Sequence, residues 1–185
     1  MNRMFILPVI ISISIFLVVL GNKVNAQEEE SQILETNKVT LTYPAGWTGE
    51  ANTNRFDSED FTISDNSGEI QIMGFDGSFD SKYYQRNPDA AYDSFVRGSS
   101  NSLISPTKVQ SYEIGEITIG DIPAYATLYG GKMEHGGDFY GFLITLAFYN
   151  DNDRYYAVLV GAPSDTYDSV EPEILNILKS ISLKE

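Results

Sequence analysis

Carboxylates close together in sequence are the most abundant groups here that could do chemistry. Asp57, Glu59 and Asp60 form one cluster, Asp76 and Asp80 a second, and Asp151 and Asp153 a third. Such groups in loops can ligate calcium, which takes about 6–8 oxygen ligands, or serve a hydrolase. Asp151-Asn-Asp153 has the alternate-acid spacing of a calcium loop. It lacks the glycine at the sixth position and the distal glutamate, which rejects an EF-hand. The acidic loops are compatible with weak calcium binding, and no metal ligand is assigned to any of them.

The other chemical signals are weaker. His135 is the sole histidine and lies between Gly130-Gly131 and Gly136-Gly137, in an expected hairpin tip. A base needs a group to orient it, and none is evident there. Glu134, His135 and Asp138 are the set to examine if that loop closes. One histidine and no cysteine disfavour zinc. There is no Gly-x-Ser-x-Gly elbow, and Gly130-Gly-Lys132 lacks the spacing of a phosphate loop. Tyr83, Tyr84, Tyr92, Tyr155 and Tyr156 could line a sugar- or peptide-binding face, but tyrosine at strand positions more often packs a sheet. No catalytic, cofactor-binding or metal residue is assigned, and no cofactor is expected.

These residues must be positioned by strands. Residues 138–149 are apolar on both phases of a period-two reading, so this strand must be covered on both faces. Residues 155–160 read the same way, and the turn at 150–153 makes them its antiparallel neighbour. Val39, Leu41 and Tyr43 alternate inward along a half-buried strand. Residues 61–63 and 69–75 flank the turn residues Asp65-Asn-Ser-Gly68 as a hairpin. Residues 109–119 and 122–129 are two more strands, with a bulge expected at Gly115. Pro123 is expected at an edge or turn.

Two helices punctuate the strands. Asn87-Pro88-Asp89 starts one, with Ala91, Tyr92, Phe95 and Val96 on its apolar stripe. The other is capped by Asp168 or Ser169, has Pro172 near its first turn, and buries Val170, Ile174, Ile177, Leu178 and Ile181. Strands joined mostly by hairpins, with helices for both faces, predict an α+β fold: an α/β/α sandwich around a mostly antiparallel sheet.

The N-terminus reads as an export signal. Arg3 precedes an apolar run over residues 5–20, and Val24-Asn-Ala26 supplies small residues for cleavage after Ala26. The expected organisation is a signal peptide at 1–26, a flexible acidic arm at 27–37 and one domain at 38–185. Arg3 and Lys23 leave with the signal, so the remainder carries 10 basic against 26 acidic residues, a net charge of −16 rather than −14. That surface repels phosphate backbones, so nucleic acid is excluded as a partner class. With no cysteine, neither disulfides nor a thiol nucleophile is available.

Two stretches resemble the PsbP-like family, whose sandwich fold is shared with the Ran-binding Mog proteins and DcrB-type envelope lipoproteins. Val39-Thr-Leu-Thr-Tyr-Pro-Ala-Gly-Trp47 is similar to the family's opening strand. Ile174-Leu-Asn-Ile-Leu-Lys-Ser-Ile181 is similar to its closing helix, with Ile181 where phenylalanine is usual. The resemblance spans about residues 37–183, and it assigns Trp47 and Ile181 to packing. It implies an exported, non-enzymatic accessory protein with a protein partner in the cell envelope, and no stable membrane insertion once the signal is cleaved. The family's role beside the photosynthetic oxygen-evolving centre does not follow from fold, and this acidic chain lacks the basic surface expected of it.

Overall fold

Ten strands and three helices are present among the described residues of a computed structural model, which are 31–52, 59–78, 81–99, 103–133, 139–150 and 152–184. The strands are β1 (Gln32–Glu35), β2 (Val39–Tyr43), β3 (Thr48–Ala51), β4 (Glu59–Ser64), β5 (Gln71–Ser78), β6 (Leu103–Ile119), β7 (Ile122–Met133), β8 (Phe139–Tyr149), β9 (Arg154–Pro163) and β10 (Ser182–Leu183). The helices are α1 (Lys82–Arg86), α2 (Pro88–Ser99) and α3 (Tyr167–Ser180). Seven strands form one sheet in the order β3-β4-β5-β9-β8-β7-β6, and β1-β2-β10 form a small second sheet. Every pairing is antiparallel.

β8 and β9 lie inside the large sheet and pair along their whole lengths, from Tyr140↔Pro163 to Tyr149↔Arg154. Both faces of this pair are covered, as continuous apolar runs require. On one face, Leu143, Ala147, Tyr156, Val158 and Val160 pack with Val39, Leu41 and Tyr43 of β2 and with Ile174, Ile177, Leu178 and Ile181 of the α3 segment. On the other, Ile144, Leu146 and Ala157 pack with Tyr92 and Val96 of α2. The molecule is therefore an α+β sandwich, with α2 on one face and α3 plus the small sheet on the other.

The structure departs from the sequence reading in several places. Gln32–Glu35, expected within a flexible arm, is strand β1 and pairs with β2 from Gln32↔Tyr43 to Glu35↔Thr40. Its side chains are mostly exposed, so pairing rather than burial holds it. β3 and α1 are likewise short, polar additions. α3 begins two or three residues earlier than the expected Asp168 or Ser169 cap, at Tyr167 after Thr166. Residues 103–108 extend β6 beyond the expected start, and residues 130–133, expected in the hairpin tip, extend β7. Finally, β5 connects to β6 through α1 and α2, across β9, β8 and β7. These two strands run parallel, so one crossover sits among the hairpins.

Other local expectations hold. The β6–β7 register shifts between Tyr112 and Ile117, and Gly115 there has φ of 95°. Pro123 follows the tight turn at Gly120 and Asp121. The residues of the family resemblance are structural. Trp47 packs against the core and Ile181 is buried. Ser180 Oγ accepts from the Thr42 amide at 2.9 Å and lies 3.0 Å from the Thr42 carbonyl, fastening the end of α3 to β2.

Candidate functional site

At one end of the sheet, on the α3 face, polar residues replace the apolar ones. The register puts Asp76 opposite Tyr156 and Tyr149 opposite Arg154. A β-bulge between Glu59 and Phe61 breaks the alternation of β4, so that Asp60 and Phe61 are both buried. Bulges re-aim side chains in this way. The β1–β2 turn brings Thr36 and Lys38 over the cluster, and the chain after β10 brings Lys184.

Asp60 is 5% exposed, and among the described residues its carboxylate is held by hydroxyls. Its Oδ2 accepts from Thr36 Oγ1 at 2.8 Å and from Tyr156 Oη at 2.9 Å. Burial raises its pKa above the ordinary carboxylate value, outweighing those two hydrogen bonds. Asp76 behaves oppositely. Burial works against its charge, but Tyr149 Oη donates to its Oδ1 at 2.6 Å, the Arg154 guanidinium donates to Oδ2, and Lys38 Nζ lies 3.2 Å away. These partners prevail and hold its pKa low. Burial and the Asp76 hydrogen bond push the Tyr149 phenol up to about 12, so it stays protonated as a donor. The Arg154 guanidinium also lies 5.9 Å from the centroid of the Tyr149 ring.

Beside this network lies an open cavity of about 400 Å³, lined by Asn37, Lys38, Ile122, Tyr149, Asn150, Arg154, Tyr156, Leu183 and Lys184. Lys184 Nζ bonds Glu35 and the Thr36 carbonyl, both at 2.7 Å. The lining residues present cations, phenols, amides and an apolar base. Asp60 and Asp76 stand behind them.

Compared by sequence, the chain matches no protein-family model and no curated protein. Compared by structure, it is similar to cyanobacterial PsbP (CyanoP) from Synechocystis sp. PCC 6803. The TM-score is 0.58 at 14% identity, covering 89% of this chain and 99% of that one. It is similar to the Ran-binding protein Mog1p of Saccharomyces cerevisiae, with a TM-score of 0.55 at 10% identity, covering 84% and 96%. The chain has the PsbP/Mog-like fold. LpqN of Mycobacterium tuberculosis, involved in cell envelope biogenesis, also shares this PsbP/Mog-like sandwich, at TM-score 0.52 and 10% identity, covering 84% and 91%.

On the PsbP/Mog-like scaffold the sequence-flagged residues scatter, apart from two. Asp60 and Asp76 come together. Glu59 turns aside and accepts from Thr62 Oγ1 at 2.7 Å. Asp153 is exposed in the β8–β9 turn. Asp57, Asp80, Glu134, His135, Asp138 and Asp151 lie outside the described residues. No group of three metal-ligating side chains is assembled among the described residues.

The five tyrosines share no surface. Tyr92 Oη donates to Thr127 Oγ1 at 2.9 Å beneath α2, and Tyr155 meets Phe95 edge-on at 5.7 Å on that same face. Tyr156 points to the opposite core, whereas Tyr83 is exposed. Sequence reasoning missed Lys38, Tyr149, Arg154 and Lys184. The available signal was their position at strand ends beside turns, where polar side chains gather at a sheet's rim.

Proposed function

We propose that this chain is an exported, non-enzymatic accessory protein that binds and stabilises an envelope or membrane-associated protein complex. The observation that carries this reading is which groups face the cavity. Cations and phenols line it, while both carboxylates are turned inward and used to hold them. That arrangement suits recognition by charge and shape. Acid–base hydrolysis would instead need a carboxylate within hydrogen-bond reach of a substrate.

The fold likeness supports the same reading. One structural neighbour is described as Ran-binding and another as involved in cell envelope biogenesis. The export signal read at residues 1–26 supports an extracytoplasmic site, with cleavage after Ala26. No helix among the described residues is long and apolar enough to cross a membrane.

The test has two parts. N-terminal sequencing of the chain recovered outside the cytoplasm should begin at Gln27. Chemical crosslinking in native envelopes should recover one reproducible protein partner. A chain retained in the cytoplasm, or crosslinks spread evenly over abundant proteins, would refute the proposal.

A further inference from the structure

The cavity's charge and shape specify more than a binding site. Three cations, Lys38, Arg154 and Lys184, gather around it in a protein whose net charge is −14. The carboxylates paired with them are Asp76, shared by Lys38 and Arg154, and Glu35, paired with Lys184. Among the described residues these pairings set three positive charges against two negative ones, leaving one in excess. Asp60 lies deeper and bonds the Thr36 and Tyr156 hydroxyls rather than these cations. Among the described residues the buried Arg154 Nε makes no hydrogen bond, which leaves the guanidinium incompletely satisfied. An arginine offers five N–H donors in a fork that matches a carboxylate. The base is apolar, supplied by Ile122, Leu183 and the Tyr149 and Tyr156 rings.

Resting on the reading of this cavity as a binding site, we infer that it takes a small amphipathic monoanion. Its carboxylate lies among Arg154, Lys38 and Lys184, and its short apolar body sits on Ile122 and Leu183. A single excess charge matches a carboxylate better than a phosphate dianion. The cavity, about 400 Å³, falls within the range of small-molecule sites, about 300–1,000 Å³. The ligand's polar end would gain charge-assisted hydrogen bonds that an equally apolar neutral molecule cannot make.

Isothermal titration calorimetry on protein produced from the full coding sequence tests this. The probes are 3-phenylpropionate, its alcohol 3-phenylpropan-1-ol, phenyl phosphate and phenethylamine. The expected result is binding of 3-phenylpropionate, weakened by added salt and weakened about tenfold by Lys184→Gln or Arg154→Gln. Lys184→Gln changes a partly exposed rim residue, so it remains informative if Arg154→Gln unfolds the protein.

Equal binding of the alcohol, or tighter binding of phenyl phosphate, would overturn the monoanion. Binding that survives both substitutions would overturn the location. No binding of any probe would overturn the site as a small-molecule pocket. The accessory reading fails separately: a protein partner whose capture still depends on Lys184 would leave it standing without this ligand.

Discussion

Asp60 and Asp76 are both aspartates at the same end of one sheet, yet their surroundings move their protonation in opposite directions. Among the described residues Asp60 has hydroxyl donors but no cation within bonding distance, and burial prevails. Its folded pKa is raised, so its contribution to stability is complete at low pH and is lost as pH rises through the folded value. Asp60→Asn keeps an acceptor for Thr36 and Tyr156 and should remove that loss. Asp60→Ala strands the Tyr156 hydroxyl and leaves Thr36 Oγ1 only the Val39 carbonyl at 3.3 Å, and should cost about 1–3 kcal/mol.

Asp76 is depressed by Tyr149, Arg154 and Lys38. Its contribution is present above the ordinary carboxylate pKa and disappears as pH falls through the folded value. Asp76→Asn should therefore destabilise the protein at neutral pH and flatten its acid limb. Urea unfolding of the three variants and the parent from pH 2 to 8 (~2–8 spans both groups) checks these signs. Matching pH profiles for Asp60→Asn and Asp76→Asn would contradict the assignment. The sequence marked both aspartates as acidic. It could not show their partners, because Tyr149 and Arg154 lie 73 and 78 residues from Asp76 along the chain.

The legible elements are those whose own apolar pattern demands burial. β8, β9 and α3 are apolar enough that no other placement would serve, and α2 carries a stripe for the opposite face. β1, β3 and α1 carry little such pattern, and their largely polar side chains remain mostly exposed or half-buried. β1 and β3 exist because a neighbouring strand offers backbone partners, which a period-based reading cannot detect, and α1 is a short helix capped by Ser81.

One junction between elements is especially tight. The Gly120 amide donates to the Leu178 carbonyl at 2.9 Å, satisfying the end of α3 from the β6–β7 turn. Gly120 has φ of 58°, and a Cβ there would lie 2.2 Å from the Ile181 carbonyl oxygen. Gly120→Ala should cost about 2–3 kcal/mol. Loss of hydrogen-exchange protection should concentrate at the end of α3 and at β10. Unchanged protection there would show that the turn does not hold the helix.

For the whole molecule, the sandwich was readable because two two-sided strands and two amphipathic helices admit few layer arrangements. The site was not, because it is assembled from the rim of the large sheet, the β1–β2 turn and the residue after β10. Its balance of charge follows from that assembly: an acidic protein gathers cations at one cavity by placing carboxylates behind them.

A calcium- and manganese-dependent thermal melt bears on the alternative in which acidic loops bind metal. Among the described residues no metal-ligating group of three is assembled, so a rise in midpoint that EDTA removes would assign a site to the acidic loops, and a flat response would retire that alternative. A ligand at a hundredfold excess over its dissociation constant would add about 2.7 kcal/mol, so a metal site of ordinary affinity would be visible.

The central claim, that the cavity bounded by Lys38, Arg154 and Lys184 is where this protein engages what it binds, is tested most directly by reversing charge at its rim. Crosslinked partners from native envelopes should be quantified for the parent and for Lys184→Glu, with thermal melts confirming that both are folded. The account predicts that the partner recovered by the parent is lost, or reduced at least about tenfold, in the variant. Undiminished recovery by folded Lys184→Glu would place the binding surface elsewhere.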